Sequence, residues 1–284
     1  MRWLKRYRME TLLLAPLVIY ILGLTVVPVL RAIVMGFQKK GTEEWTLDNY
    51  RYLFSRPEFS DAFWNTLIIT VVGLSLQIAI GLIVALSLKH ITKGKGIFRT
   101  LTMIPMGVPT LVSGVTMIYI FATSGYLNEL LYDLKLSEVP IDWAAGGFST
   151  LMMIVVADMW KVMPIVVLLL LAGLESISDD VYEAAKVDGA TPWQTFWRIT
   201  LPLLRPSITM ALILRAIDAF RIFELPLVLA GRNTPVLSTY AYTEYGTYNN
   251  PYTSGAASTI LLLMIVAFIF LYMFVVERKG GDVQ

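Results

Sequence analysis

Residues 149–174 read STLMMIVVADMWKVMPIVVLLLLAGL, and residues 175–206 read ESISDDVYEAAKVDGATPWQTFWRITLPLLRP. The first stretch is apolar almost throughout, with Asp158 and Lys161 as its only charged residues. A helix rises about 1.5 Å per residue, so a run of this length crosses about 30 Å of hydrocarbon. The second stretch is polar and rich in capping residues and ends in two prolines. A membrane helix is thus followed by a short, structured loop.

Five more segments have the same character: Thr11–Phe37, Phe63–Leu88, Thr100–Phe121, Ser207–Ala230 and Gly255–Val276. Together with Ser149–Leu174 they predict an all-α membrane protein with six transmembrane helices. Strands are a poor alternative. An open sheet leaves backbone groups unpaired in lipid, and the alternating ten-residue pattern of a barrel is absent. The first span follows Arg2, Lys5, Arg6 and Arg8, as a signal peptide would. Its apolar run is too long for one and no small-residue cleavage site follows, so it reads as an uncleaved span. The organisation expected is a single helical membrane domain. Residues 1–62 form an anchor helix and first external segment, and residues 63–284 form a core that carries the 175–206 loop. A short helix is expected over Leu127–Leu134. Pro105, Gly107 and Pro109 interrupt the third span, as a packing kink or as backbone facing a cavity.

Composition agrees. Of 284 residues, 56% are apolar and 15% charged, against about 45–50% and 25% in soluble chains. Mean hydropathy is +0.66. A net charge of +2 gives no basic field for nucleic acid. The absence of cysteine and the single histidine, His90, leave no thiolate chemistry and no histidine metal cluster, and His90 reads as an interfacial residue. No Gly-rich phosphate loop occurs, since Lys93-Gly94-Lys95-Gly96 lacks both the spacing and a preceding strand. No catalytic residue, metal or cofactor is expected.

The 175–206 loop carries the sharpest local signals. Asp179 or Asp180 can cap a helix over Val181–Val187, and Gly189 suits the position past its end. Thr191 caps a second helix with Pro192 in its first turn. That helix sets Phe196 and Ile199 on one face, and Pro202 and Pro206 are expected to end it before the next span. The helix–turn–helix displays Tyr182, Trp193, Phe196 and Trp197. It reads either as a docking knob for a partner or as an interfacial helix whose tryptophans sit at the headgroups.

Glu183-Ala184-Ala185, Asp188-Gly189-Ala190, Phe196, Ile199, Leu201-Pro202 and Pro206 resemble the EAA loop of binding-protein-dependent ABC importers. The likeness runs along most of the chain. It includes Asn49-Tyr50 with Phe54, Asn65-Thr66, Ile104-Pro105, Trp160-Lys161 with Pro164, and Ala219-Phe220-Arg221 with Phe223-Glu224. These are similar to carbohydrate-type permeases, in particular the first permease of a pair. Gly231–Pro235 and Tyr119 depart from the family pattern.

The resemblance implies a permease subunit with the type I importer fold, seated in a bacterial or archaeal cytoplasmic membrane. Its partners would be a second homologous permease, two cytoplasmic ATPase subunits, an extracytoplasmic binding protein, a sugar or polyol substrate and the bilayer. ATP hydrolysis would belong to the ATPase. Glu183, Ala184, Ala185, Asp188, Gly189, Ala190 and Phe196 would form the ATPase-coupling element.

Charges inside spans are costly unless paired or solvated. Arg215, Asp218, Arg221 and Glu224 lie three apart with alternating sign, forming a stripe if the helix is continuous. The stripe is either self-neutralised or lines a wet cavity. The family resemblance points to Asp218, Phe220, Arg221 and Glu224 as substrate-path residues. Trp160, between Asp158 and Lys161, either stacks on a sugar or packs in the membrane. Two rival functions lack support. A secondary transporter would show inverted repeats. A carboxylate protease would need Asp158 and Asp218 to share a site, yet each has a basic neighbour three residues away on its own helix.

With both termini inside, inner segments hold 13 Lys and Arg and outer segments hold 6, which favours cytoplasmic termini. On this cysteine-free chain, a single cysteine at Ser137 should react with an impermeant thiol reagent from outside, and one at Gln284 should not. The reverse labelling pattern would overturn this topology.

Overall fold

The computed structural model describes residues 7–42, 44–91 and 93–278. The basic residues Arg2, Lys5 and Arg6 and the tail from Lys279 lie outside them. Six helices among the described residues are long and apolar enough to cross a membrane: Met9–Gly36, Pro57–His90, Thr110–Asp133, Gly147–Glu175, Pro192–Phe220 and Pro251–Phe274. The chain forms two units. One takes residues up to Ser60 with Tyr240–Leu263, and the other takes Asp61–Thr239 with residues from Met264 onward.

In the first unit, the Met9–Gly36 helix exposes most of its apolar side chains and is buried only at its end, at Gly36. A five-residue π-helical stretch, Leu22–Val26, precedes Pro28. Asn49 donates to the carbonyls of Gly36 (3.0 Å) and Gln38 (2.8 Å), fastening the helix Asp48–Phe54 to the end of the span. Phe59 then meets Phe54 and Tyr240 edge-on, with ring centroids 5.5 and 5.6 Å apart.

In the second unit, the Gly147–Glu175 helix is the central element. Leu151, Ile154 and Val155 join Ile69, Met117, Phe121 and Leu225 in one apolar core. Val166, Leu170 and Leu174 join Ala85, Leu88 and Leu204 in another. Gly173 allows the fifth helix to approach. A Cβ there would lie 2.6 Å from Ser207 Cβ and 2.8 Å from Leu204 Cδ1. Small residues permit such contacts between membrane helices, where water provides no hydrophobic drive.

Two spans differ from the sequence expectation. The third is not continuous over Thr100–Phe121. Lys95–Gly107 stops at Val108, which is extended (φ −80°, ψ 130°), and a new helix starts at Thr110. Pro109 is the cause, because its ring bars the preceding residue from the α region. The long apolar segment therefore runs from Thr110 through a bend to Asp133, and its last helix is Tyr126–Asp133.

The fifth span is shifted toward the N-terminus. Pro202 and Pro206 do not end the loop helix. A π-helical turn, Phe196–Thr200, precedes Pro202, and the helix continues to Phe220. It stops there, and Pro226, in the first turn of the next helix, has no N–H to donate to the Ile222 carbonyl. Arg221–Phe223 unwind, and a separate helix covers Glu224–Ala230. The freed Ile222 carbonyl accepts the Ser238 hydroxyl.

Candidate functional site

The sequence order Arg215, Asp218, Arg221, Glu224 predicts one stripe, but the geometry is a network across three helices. Arg215 is buried, with its side chain 4% exposed. Its Nη2 donates to Asp158 Oδ2 (3.1 Å), its Nη1 to Asp218 Oδ2 (3.2 Å) and its Nε to Gln77 Oε1 (3.2 Å). Gln77 in turn donates to Asp158 Oδ2 at 2.9 Å. Asp218 also accepts Arg221 Nη2 on its other oxygen, at 2.7 Å. Side-chain exposure rises along this chain of contacts, from 4% at Arg215 to 45% at Asp218 and 65% at Arg221. The network thus leads from the core to a surface of the unit.

Glu224 falls outside the network, because the helix breaks before it. It opens the helix Glu224–Ala230, where a carboxylate meets the positive end of the peptide dipoles. It is exposed. Phe220 is only 1% exposed and packs edge-on against Phe268 at 5.3 Å. Its ring belongs to the buried core of the unit. Trp160 is 36% exposed. It sits two residues, about 200° of helical rotation, from Asp158 and has no hydrogen bond or ring contact with the network among the described residues.

Lys161 does not pair with Asp158 either. Its Nζ donates to the carbonyls of Met106 (3.4 Å) and Val108. These are the carbonyls freed where the third span breaks, so Lys161 caps the end of Lys95–Gly107.

In the 175–206 loop, Ser178 caps the first helix, accepting from the amide of Asp180. The helix is Asp179–Val187, and Asp179 and Asp180 occupy its first turn, where negative charge complements the dipole. At its end Gly189 has φ +75°. The amide of Ala190 reaches Ala185 O (2.9 Å) and that of Gly189 reaches Lys186 O (3.1 Å). Together these bonds make a Schellman closure. Thr191 and Gln194 then form a reciprocal capping box. Glu183, Ala184, Asp188 and Gly189 are exposed, Ala190 and Phe196 half-buried, and Ala185 buried. Val187 is 88% and Trp193 71% exposed. Trp193, Phe196 and Trp197 pack on one another, with ring centroids 5.2 to 6.4 Å apart. Tyr182 belongs to a different surface. Its ring lies under the ammonium of Lys89, 4.2 Å from the centroid.

Lys89, Lys95, Arg99, Glu175 and Gln77 have contacts that sequence reading alone did not assign. Gln77 carried a usable signal, as an amide in the middle of an apolar span. Lys95 Nζ lies 2.6 Å from Glu175 Oε1, and Arg99 Nη2 donates to the same oxygen. These side chains are about one-third exposed, and such pairs contribute roughly 0–1 kcal/mol each. Outside the spans, Glu244 is buried. Burial raises its carboxyl above the usual range, against a hydrogen bond from Tyr240 and the charge of Arg56.

Residues 77–278 match the family of binding-protein-dependent transport system inner membrane components. The chain belongs to this family: it is a multi-pass inner-membrane protein, the permease subunit of an ABC importer and not its ATPase. The trehalose/maltose transport system permease protein MalF of Thermococcus litoralis is 39% identical over 80% of this chain and 78% of its own. The trehalose transport system permease protein SugA of Mycobacterium tuberculosis is 32% identical, covering 97% and 91%. A bacterial ABC transporter that imports the acidic polysaccharide alginate has a chain that superposes with a TM-score of 0.85 at 22% identity, covering 98% of both chains. That likeness establishes the fold.

Removing one partner of a buried ion pair costs about 3–5 kcal/mol. Asp158→Asn should therefore lower the stability of the purified protein by that order in a detergent melt. Asp158→Leu combined with Arg215→Met leaves Asp218 and Arg221 balanced and should recover most of the loss. A single variant as stable as the parent would remove the network from the fold's support.

Proposed function

We propose that the chain forms half of the translocation path for an uncharged sugar, in complex with a second homologous permease, two cytoplasmic ATPase subunits and an extracytoplasmic binding protein. Both termini are cytoplasmic, and the 175–206 loop is the element that the ATPase holds. The observation that carries the docking assignment is the doubly capped helix–turn–helix, which offers Val187 and Trp193 to solvent beside Glu183. Large exposed apolar groups on a rigid frame suit a protein partner.

The substrate class follows from charge. Arg215 and Arg221 are both engaged by Asp158 and Asp218, so neither is a spare cation for a phosphate. Glu224 leaves the exposed stretch negative, which suits hydroxyl groups and opposes anions. The trehalose and maltose named for the relatives are of this kind.

Reconstitution of the whole complex in proteoliposomes tests both parts. Gly189→Val forces a β-branched residue into positive φ. It should reduce recovery of the ATPase in a pull-down, as should Glu183→Ala to a smaller degree. Normal recovery with normal transport for both would overturn the docking assignment. Trehalose or maltose should be taken up and glycerol phosphate should not. Glu224→Ala should lower sugar uptake about tenfold, the size of one charge-assisted hydrogen bond, with stimulated ATP hydrolysis retained. Unchanged uptake would take Glu224 out of the path.

A further inference from the structure

We propose that Lys89 and Tyr182 are positioning residues that form a joint, through which movement of the 175–206 loop is passed to the second span. The proposal rests on the loop being the ATPase-docking element.

Lys89 is the second-to-last residue of the helix Pro57–His90. Its ammonium makes two contacts at once. It donates to the carbonyl of Leu174 at 3.0 Å and lies 4.2 Å from the centre of the Tyr182 ring. Leu174 is in the last turn of Gly147–Glu175, and Tyr182 is in the first helix of the loop. One charged group therefore ties together the ends of two spans and the loop that follows one of them. The next residue, Glu175, takes Lys95 and Arg99 from Lys95–Gly107 on one oxygen. The far end of that half-helix is held by Lys161 of the same fourth span. Lys95–Gly107 is thus fastened to Gly147–Glu175 at both ends, like a strut running from the base of the loop to the break at Val108.

A role in stability is a poor explanation for these contacts. The apolar cluster of Ala85, Leu88, Leu170, Leu174 and Leu204 already holds the helices together, and the Glu175 pairs are open to solvent. Headgroup anchoring is no better for Lys89, whose ammonium is turned to a ring and a carbonyl. What the contacts provide is direction. Tyr182 lies against Lys89 at the end of the second span, whereas Trp193 is exposed. A push on the loop therefore has a defined point of application on the second span.

The test uses the complete complex in proteoliposomes with Lys89→Met, Lys89→Arg, Tyr182→Leu and Tyr182→Phe. Lys89→Met keeps the aliphatic stem and removes the charge. Tyr182→Leu removes the ring. Both should retain the ATPase in a pull-down and keep the parent's melting temperature. Both should lose about two- to fivefold in ATP hydrolysis stimulated by the loaded binding protein, the range set by one exposed cation–π contact. Lys89→Arg and Tyr182→Phe preserve charge and ring and should restore stimulation. Full stimulation in Lys89→Met would overturn the joint, as would loss of the ATPase from it, since Lys89 would then serve docking. Failure of the docking assignment itself would appear elsewhere, as normal ATPase recovery with Gly189→Val.

Discussion

The architecture of the second unit depends on how Arg215 is kept charged in an apolar surround. An isolated ion moved from water to such a medium costs many kcal/mol, and only good geometry from several partners offsets it. Gln77, Asp158 and Asp218 supply that geometry from the second, fourth and fifth helices. Each helix is therefore held in axial register as well as by packing. Sliding any one of them by a turn, about 5.4 Å, breaks at least one bond to a buried group. That fixed register leaves Asp218 an oxygen free to hold Arg221 just where the fifth helix unwinds.

Irregular backbone elsewhere obeys the same economy. The helix breaks ahead of Pro109 and Pro226 leave carbonyls that lipid cannot satisfy. In both places a polar side chain from a distant segment meets the need: Lys161 for Met106 and Val108, and Ser238 for Ile222. The two breaks are thus supported features, and they delimit the stretches where side chains such as Arg221 leave helical order.

Hydrophobic length made the six spans legible, and capping chemistry made the 175–206 loop legible down to the positive φ of Gly189. Both are local signals. Partners across the sequence were not legible. A three-residue spacing set Lys161 as the basic neighbour of Asp158 and continued a stripe from Arg221 to Glu224, yet Asp158 is taken by an arginine 57 residues away. Tertiary geometry outweighs spacing because a buried charge seeks the partner with the best desolvated contact. The end of the fifth helix at Phe220 was masked by apolar sequence that continues to Ala230. Tyr182 looked like its aromatic neighbours in composition and differs only in which way its side of the helix faces.

The four-membered network of Arg215, Asp158, Asp218 and Arg221 sums to zero charge. A membrane voltage does work on net charge displaced through it, about 2.3 kcal/mol per elementary charge per 100 mV. A neutral cluster meets almost none of that work. The network itself therefore adds no voltage dependence to a movement of the helices that carry it.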